Sequence, residues 1–290
     1  MSVKLHYRQL SVSLYCSKEH WNKVLSDGID PLVDHLWKEN KLKYYHLVFN
    51  YSSGENIRLS LFVPSGKAKS VARYVDEYCN HFFSVHKLPS EEIQFPVDGV
   101  FMPFPANSVQ YGLFGQEYYV DNDFDLIFQS RLSSLLILIL KDVQIDDAEI
   151  LTLSFYLHFS LLKIVLQTCR TAPHELRELR GLLAPGGINM DLVQRKMADN
   201  RDMLIEIADE IMQMSAQLPD WLITWKQYCE ERIEKRNSLC TDRIIEGKLL
   251  YAEISMLINK QLGLNEQMRL LLFYFLDEVY EEQIRKSILS

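Results

Sequence analysis

The chain has 290 residues, 48% of them hydrophobic and 24% charged, which is enough apolar material for one large domain or two modest ones with a buried core. Its 31 basic residues against 39 acidic ones leave a net charge of −8, which argues against a general nucleic-acid binder, because phosphate contacts need clustered lysine and arginine. Cys16, Cys79, Cys169, Cys229 and Cys240 are scattered with no Cys-x-x-Cys pair, so they suggest neither a disulfide framework nor a zinc site and read as reduced thiols in a cytoplasm.

In chain order, "MSVKLHYRQL" lacks the apolar core of a signal peptide. "KLHYRQLSVSLYC" reads as a strand, followed by Ser17 as a helix N-cap and a helical pattern through Trp21 and Val24. Asp30 and Pro31 then read as the cap and first-turn proline of a second helix. "YYHLVFNY" and "ENIRLSLFV" flank the turn "SSG", and Ile57, Leu59, Leu61 and Val63 alternate with Arg58, Ser60 and Phe62, the period of a hairpin strand with Arg58 and Ser60 on one face. A helix over 67–85 gathers Val71, Tyr74, Val75, Tyr78 and Phe82 on one side, and the proline-bearing region 89–119 reads as strand and loop. From 124 onward helical periods dominate: 124–142, 147–171, 189–217, 220–237, 240–262 and 266–287, interrupted by "LLAPGGINM". The run "LLILIL" is too short to span a bilayer. The longer apolar stretch around 150–166 carries Thr152, Ser154, His158, Ser160 and Lys163, which predicts a buried core helix and no membrane segment. No repeat or low-complexity tract is present. The expected architecture is α+β: residues 1–123 form a half with a mostly antiparallel sheet and flanking helices, and residues 124–290 form a helical half, packed as one unit.

No glycine-rich phosphate loop, His-Glu-x-x-His helix or Gly-x-Ser-x-Gly elbow occurs. "APGGI" is read as a loop, because no strand feeding a helix surrounds it. His158 lies on an apolar stretch and reads as a satisfied core residue, while His81 and His86 fit no familiar metal spacing. No metal site or cofactor is expected. Glu55, Glu117, Tyr111, Tyr118 and Tyr119 are acid and base candidates, although a tyrosine-rich strand is by default packing. In "AEISMLINKQLG", Tyr251, Ser255 and Asn259 stand at i, i+4, i+8 and fall on one line beside the apolar stripe of Leu250, Ile254, Leu257 and Ile258. Spacing alone reads that line as the polar margin of an amphipathic helix.

Several stretches, in order and over most of the chain, resemble the C-terminal glutamate-elimination domain of lantibiotic dehydratases, also called the thiopeptide-type bacteriocin biosynthesis domain. "LYCSKEHWNKVLSDGIDPLVDHLWKENKLKYYHLVF" looks like its opening. "ENIRLSLF" resembles the strand "H-x-R-x-R-f", with Arg58 kept and Ser60 in place of the second arginine. "FPANSVQYGLFG" resembles the turn "Y-x-x-E-x-x-R-Y-G-G": Tyr111 and Gly112 are kept, Asn107 stands for the glutamate, Gln110 for the arginine and Leu113 for the second glycine. "LIFQSRLSSLLILIL" places Ser130 after an aromatic near the start of a long helix. "ISMLINKQLG" resembles "l-H-M-x-x-N-R-l-G", with Asn259 kept, Lys260 for the arginine and Ser255 for the histidine.

The resemblance implies that eliminating members use that second arginine, the arginine before Tyr-Gly-Gly and the helix histidine to hold a glutamyl ester and move protons. Proton removal beside a carbonyl needs a base and cationic support for the enolate, and Ser60, Gln110 and Ser255 supply neither. The chain is therefore most similar to the stand-alone pyridine synthases of thiopeptide biosynthesis. What that branch implies is a formal hetero-Diels-Alder cyclisation of two dehydroalanines in an azole-bearing precursor peptide, with loss of water and leader, and no cofactor. Ser255, Tyr251, Asn259, Tyr111 and Glu117 are the implied catalytic groups, and Arg58, Ser60, Gln110, Ser130 and Lys260 the implied substrate-binding groups. The implied partner is the modified precursor peptide with its leader, alongside other maturation enzymes, in the cytoplasm. The alternatives are a glutamate-elimination component of a split dehydratase and a non-catalytic peptide-binding subunit of a maturation complex.

Overall fold

The computed structural model describes residues 7–51, 54–89, 104–112, 123–169, 190–213, 218–237 and 243–289. The chain divides into two compact units, Met1–Asp146 and Asp147–Ser290. The boundary falls one helix after the change of composition at 123/124.

The first unit holds an antiparallel sheet of β1 (Tyr7–Tyr15), β2 (Tyr44–Asn50), β3 (Asn56–Pro64) and β4 (Ser108–Tyr111), in the order β2-β3-β1-β4. The expected hairpin is β2–β3, in a register that sets His46 opposite Ser60 and Val48 opposite Arg58. Between β1 and β2, a 3-10 turn (Lys18–His20), α1 (Trp21–Lys23), a π-helical stretch (Val24–Ile29) and α2 (Asp30–Lys38) run on without interruption. Two expected caps are corrected here. Ser17 makes no side-chain cap bond; the Lys18 N–H donates to the Glu55 carboxylate instead. Asp30 is already inside the helix, with Ile29 at the cap position, and its carboxylate accepts from Lys141 Nζ at 2.9 Å.

Pro31 explains the π stretch. It has no N–H for the carbonyl four residues back, and its ring crowds that carbonyl. The carbonyls of Asp27 and Gly28 are served from outside, by the Tyr78 hydroxyl at 3.4 and 3.0 Å. Tyr78 belongs to α3 (Ala68–His86), which covers one face of the sheet with Val71, Val75, Cys79, Phe82 and Phe83. On that face lie Leu47, Phe49, Ile57, Leu59, Leu61, Val12 and Leu14, all buried, with Trp21 stacked on Phe49 at 4.9 Å.

α4 (Asp123–Leu140) lies along the edge strand β2. An edge strand presents unpaired backbone groups. Here the Tyr45 and Leu47 N–H groups donate to Ser130 Oγ at 3.3 Å and Ser133 Oγ at 2.9 Å, and the Tyr45 hydroxyl donates to Ser134 Oγ at 3.0 Å. Serines at i, i+3 and i+4 share one helix face, so "SRLSS" is a row of side-chain partners for a strand.

The second unit is helical: α5 (Asp147–Cys169), α6 (Met190–Gln213), α7 (Asp220–Asn237), α8 (Arg243–Gln261) and α9 (Glu266–Leu289). α5 is long and apolar enough to cross a membrane, but 72% of that window is buried. It packs against each of the other four helices, the position of a helix apolar all round. Trp225 Nε1 donates to the Leu157 carbonyl at 3.1 Å. Lys163 Nζ reaches the last-turn carbonyls of α6, Ile211 at 2.6 Å and Met212 at 2.9 Å, a cation completing a helix C-terminus.

Candidate functional site

The second face of the sheet carries a row of polar residues that is buried at its centre and half-buried at Gln9, Ser11 and Gln110. Strand alternation puts Gln9, Ser11, Ser13 and Tyr15 of β1 on it, with His46 of β2, Asn56, Arg58 and Ser60 of β3, and Gln110 of β4. Ser13 stands between Arg58 and Gln110 in register, and Ser60 between Ser11 and His46. The substrate-binding residues expected from sequence, Arg58, Ser60 and Gln110, are thus brought to one face. Ser60 Oγ lies 3.2 Å from both Gln9 Nε2 and Ser11 Oγ. Ser13 is 0% and Tyr15 1% exposed, and neither hydroxyl has a hydrogen-bond partner among the described residues. Burial pushes the Tyr15 hydroxyl pKa up, and the Arg58 charge works against that shift. A polar group buried without a partner costs about 1 to 3 kcal/mol, so such a row marks a place where a ligand's polar groups can be received.

Tyr111, adjacent to Gln110 in β4, points to the opposite side. Its hydroxyl donates to Asp76 Oδ1 of α3 at 2.6 Å, and burial together with that carboxylate pushes its pKa up. It lines a pocket of about 510 Å³ with Leu10, Val12, Val75 and Asp76, to which Gln9 and Ser11 also contribute. Ser130, expected to bind substrate, anchors β2 with its hydroxyl. Asn107 adopts φ 59°; its side chain accepts from the Leu88 N–H at 3.0 Å and donates to the Leu88 carbonyl at 2.8 Å, pinning the entry to β4. Glu117, Tyr118 and Tyr119 lie outside the described residues.

In the helical unit, the line Tyr251, Ser255 and Asn259 is no wet margin. These residues are 3%, 0% and 6% exposed. The row faces into the core, where α5 is the chief partner of α8. From α5, His158 Nε2 meets Asn259 Oδ1 at 3.1 Å, and the edge of the Phe273 ring of α9 packs on the imidazole at 5.6 Å. Ser255 Oγ and His158 Nδ1 are buried with no hydrogen-bond partner among the described residues. Burial pulls the His158 pKa down to about 4, against a raising contribution from Asn259, so the ring is neutral at pH 7. Burial also pushes the Tyr251 hydroxyl pKa up, against a lowering contribution from the Ser255 hydroxyl beside it, so Tyr251 stays protonated and can donate a hydrogen bond. Lys260, next in sequence, is turned outward and exposed.

His158 and the β1 residues Ser13 and Tyr15 are what sequence reasoning missed. Alternation of "QLSVSLY" was the available signal for Ser11 and Ser13; only register places them beside Arg58. His158 carries no local signal, because its partner is 101 residues away. The thiols of Cys16, Cys79 and Cys229 are buried, with pKa values pushed up by burial. Among the described residues, no group of three or more His, Cys, Asp or Glu side chains is placed to hold a metal.

No family model matches the sequence, and no curated protein has significant similarity to it. Solved structures do. The pyridine synthase TbtD from thiomuracin biosynthesis superposes with a TM-score of 0.71 at 16% identity, over 95% of this chain and 98% of that one. The two proteins share a fold. TsrL matches with a TM-score of 0.65 at 12% identity, over 96% of each chain. The tRNA-dependent lantibiotic dehydratase MibB from Microbispora sp. 107891 matches with a TM-score of 0.59 at 12% identity, over 99% of this chain but 29% of that one. The TbtD fold is thus present from end to end, and a section of the dehydratase has the same form, in agreement with the resemblance carried by the motifs.

Proposed function

We propose that this chain is a stand-alone pyridine synthase of thiopeptide biosynthesis. The observation that carries the reading is the end-to-end match to TbtD, 98% of that chain, combined with neutral, buried residues at two positions where an eliminating enzyme is expected to carry cationic or basic groups: Ser60 at 3% and Ser255 at 0% exposure. Gln110 is the third neutral replacement.

In the proposed reaction, the amide beside one dehydroalanine of an azole-bearing peptide tautomerises to an iminol. That azadiene adds across the double bond of the second dehydroalanine through its two terminal carbons, the dehydroalanine methylene and the iminol carbon, forming two C–C bonds and closing the macrocycle. Loss of water, then of the leader as a carboxamide, leaves the aromatic pyridine. Holding two ends of a flexible peptide in contact can contribute about 7 to 11 kcal/mol, against roughly 10² to 10⁴-fold for one positioned acid or base. Neutral hydrogen-bonding groups suit such a task, because a buried charge is costly unless paired. Ser255 and Asn259 are proposed to hold the iminol by hydrogen bonds, Tyr251 or Glu117 to shuttle the proton for aromatisation, and Arg58, Ser60 and Gln110 to hold peptide carbonyls. Neither a metal nor a redox cofactor is invoked.

The test is incubation of the protein with a dehydrated, azole-containing precursor, read by mass spectrometry. A macrocycle and a leader carboxamide are expected. Unchanged substrate, or loss of glutamate from a glutamylated peptide, overturns the reading. The second of these results would assign the chain to the elimination half of a split dehydratase, and leader binding with no mass change in any substrate would make it a peptide-binding subunit.

A further inference from the structure

His158 has no part in the reaction outlined above, and the geometry around it gives it one. It is a polar ring in the largely apolar helix α5, 0% exposed, with a single hydrogen-bond partner among the described residues: Asn259 Oδ1, 3.1 Å from Nε2. Asn259 keeps 6% of its surface exposed, while His158 and Ser255 keep none, so Asn259 is the member of this trio that a ligand reaches first.

A carbonyl oxygen only accepts, so the contact requires the proton on Nε2. The other nitrogen, Nδ1, then carries a lone pair with no partner among the described residues. The opposite tautomer would bury an unpartnered N–H facing nothing, and native structures tolerate orphaned donors less than under-satisfied acceptors. An imidazolium would add a buried charge to that orphaned donor. The edge of Phe273 at 5.6 Å keeps the ring from turning.

We propose that His158 is a positioning residue, which by donating from Nε2 to Asn259 Oδ1 commits Asn259 to present its amide N–H groups to a carbonyl or iminol oxygen of the substrate peptide. This rests on the pyridine-synthase reading for the reaction served. Without the bond, the Asn259 amide is free to turn over and offer an acceptor in place of a donor. A flipped amide repels the same oxygen, so the effect falls on the reacting geometry more than on peptide capture.

The experiment compares the wild type, His158→Gln and His158→Leu in full-length protein. Gln keeps an N–H donor near the Nε2 position, whereas Leu removes it at similar volume. With the dehydrated, azole-containing precursor, H158L is expected to lower kcat by about 100-fold with KM nearly unchanged, and H158Q to recover most of the loss. Equal impairment of the two variants, or a loss confined to KM, overturns the assignment. A substrate-free readout runs beside it: nitrogen NMR of 15N-histidine-labelled wild type at pH 7 should show His158 as the neutral Nε2–H tautomer. An Nδ1–H tautomer or an imidazolium overturns the proposal even where H158L fails to fold. A wild type that makes no pyridine while showing the Nε2–H tautomer rejects the pyridine-synthase reading and leaves the hydrogen-bond assignment standing.

Discussion

Ser255 and Ser13 separate function from stability, because neither buried hydroxyl meets a partner at good hydrogen-bond geometry among the described residues, although the Tyr251 hydroxyl lies close enough to Ser255 to feel it. Removing an orphaned polar atom relieves about 1 to 3 kcal/mol of desolvation penalty, offset by the small void left behind. Ser255→Ala is therefore expected to be neutral or stabilising by about 1 kcal/mol in chemical denaturation, while the proposed pyridine-forming activity is expected to fall roughly tenfold, the weight of one lost hydrogen bond in the reacting complex. Lower stability with intact activity would make the hydroxyl an ordinary core group. His158 carries the pH dependence. Its pKa is lowered from 6.5 to about 4 in the folded chain, so between those values the unfolded chain binds the extra proton. Stability is thus complete above about pH 6.5 and is lost as pH falls toward 4, by about 3 kcal/mol for this one group. Urea denaturation at stepped pH values checks it: H158Q should show a shallower loss on acidification than the wild type, and parallel curves would reject the assignment.

At the scale of elements, helix α4 buries an apolar set that includes Leu132, Leu136 and Leu140 and adds three serines that bond to the edge strand β2. Ser130→Ala with Ser133→Ala leaves the Tyr45 and Leu47 N–H groups without these acceptors, at a cost of about 1 to 3 kcal/mol each if both stay buried. A thermal melt of the double variant, with hydrogen exchange at those two amides, measures it; unchanged exchange would show that the serines do not protect the strand edge. Asn107 is a second polar anchor, fixing the entry to β4. It combines φ 59° with two bonds to Leu88, so Asn107→Ala is expected to lose about 2 kcal/mol, and Asn107→Gly less, because glycine meets no steric penalty there. Equal losses in a denaturation series would show that the backbone conformation contributes nothing.

For the whole molecule, the question is whether the neutral positions are an eliminase with parts missing or a site suited to neutral chemistry. Ser60→Arg restores the residue expected in eliminating relatives. At a position 3% exposed and bonded to Gln9 and Ser11, an added guanidinium without a prepared partner is expected to cost about 3 to 5 kcal/mol. A melting temperature near that of the wild type, with glutamate elimination gained, would favour a degenerate eliminase.

Much of the architecture is legible in the residues themselves. Period-two alternation places β2 and β3, and apolar periodicity places each helix from α3 to α9 to within a few residues, because these patterns are local consequences of backbone geometry. The failures fall at helix starts: Ser17 and Asp30 satisfy the composition rules for caps, but Glu55 takes the Lys18 N–H and Asp30 pairs with Lys141, partners distant in sequence. The same division holds for the candidate site. Arg58, Ser60, Gln110, Tyr251, Ser255 and Asn259 can be picked out from spacing and motif, along with the absence of a cationic set. Only tertiary structure sets Tyr111 against Asp76 of α3, gives Ser130 to a strand edge, sets Ser13 beside Arg58, and turns an apparent polar margin into a buried row against His158. Periodicity states which residues share a face; whether that face meets water, a helix or a ligand depends on what packs against it, and that partner lies up to a hundred residues away.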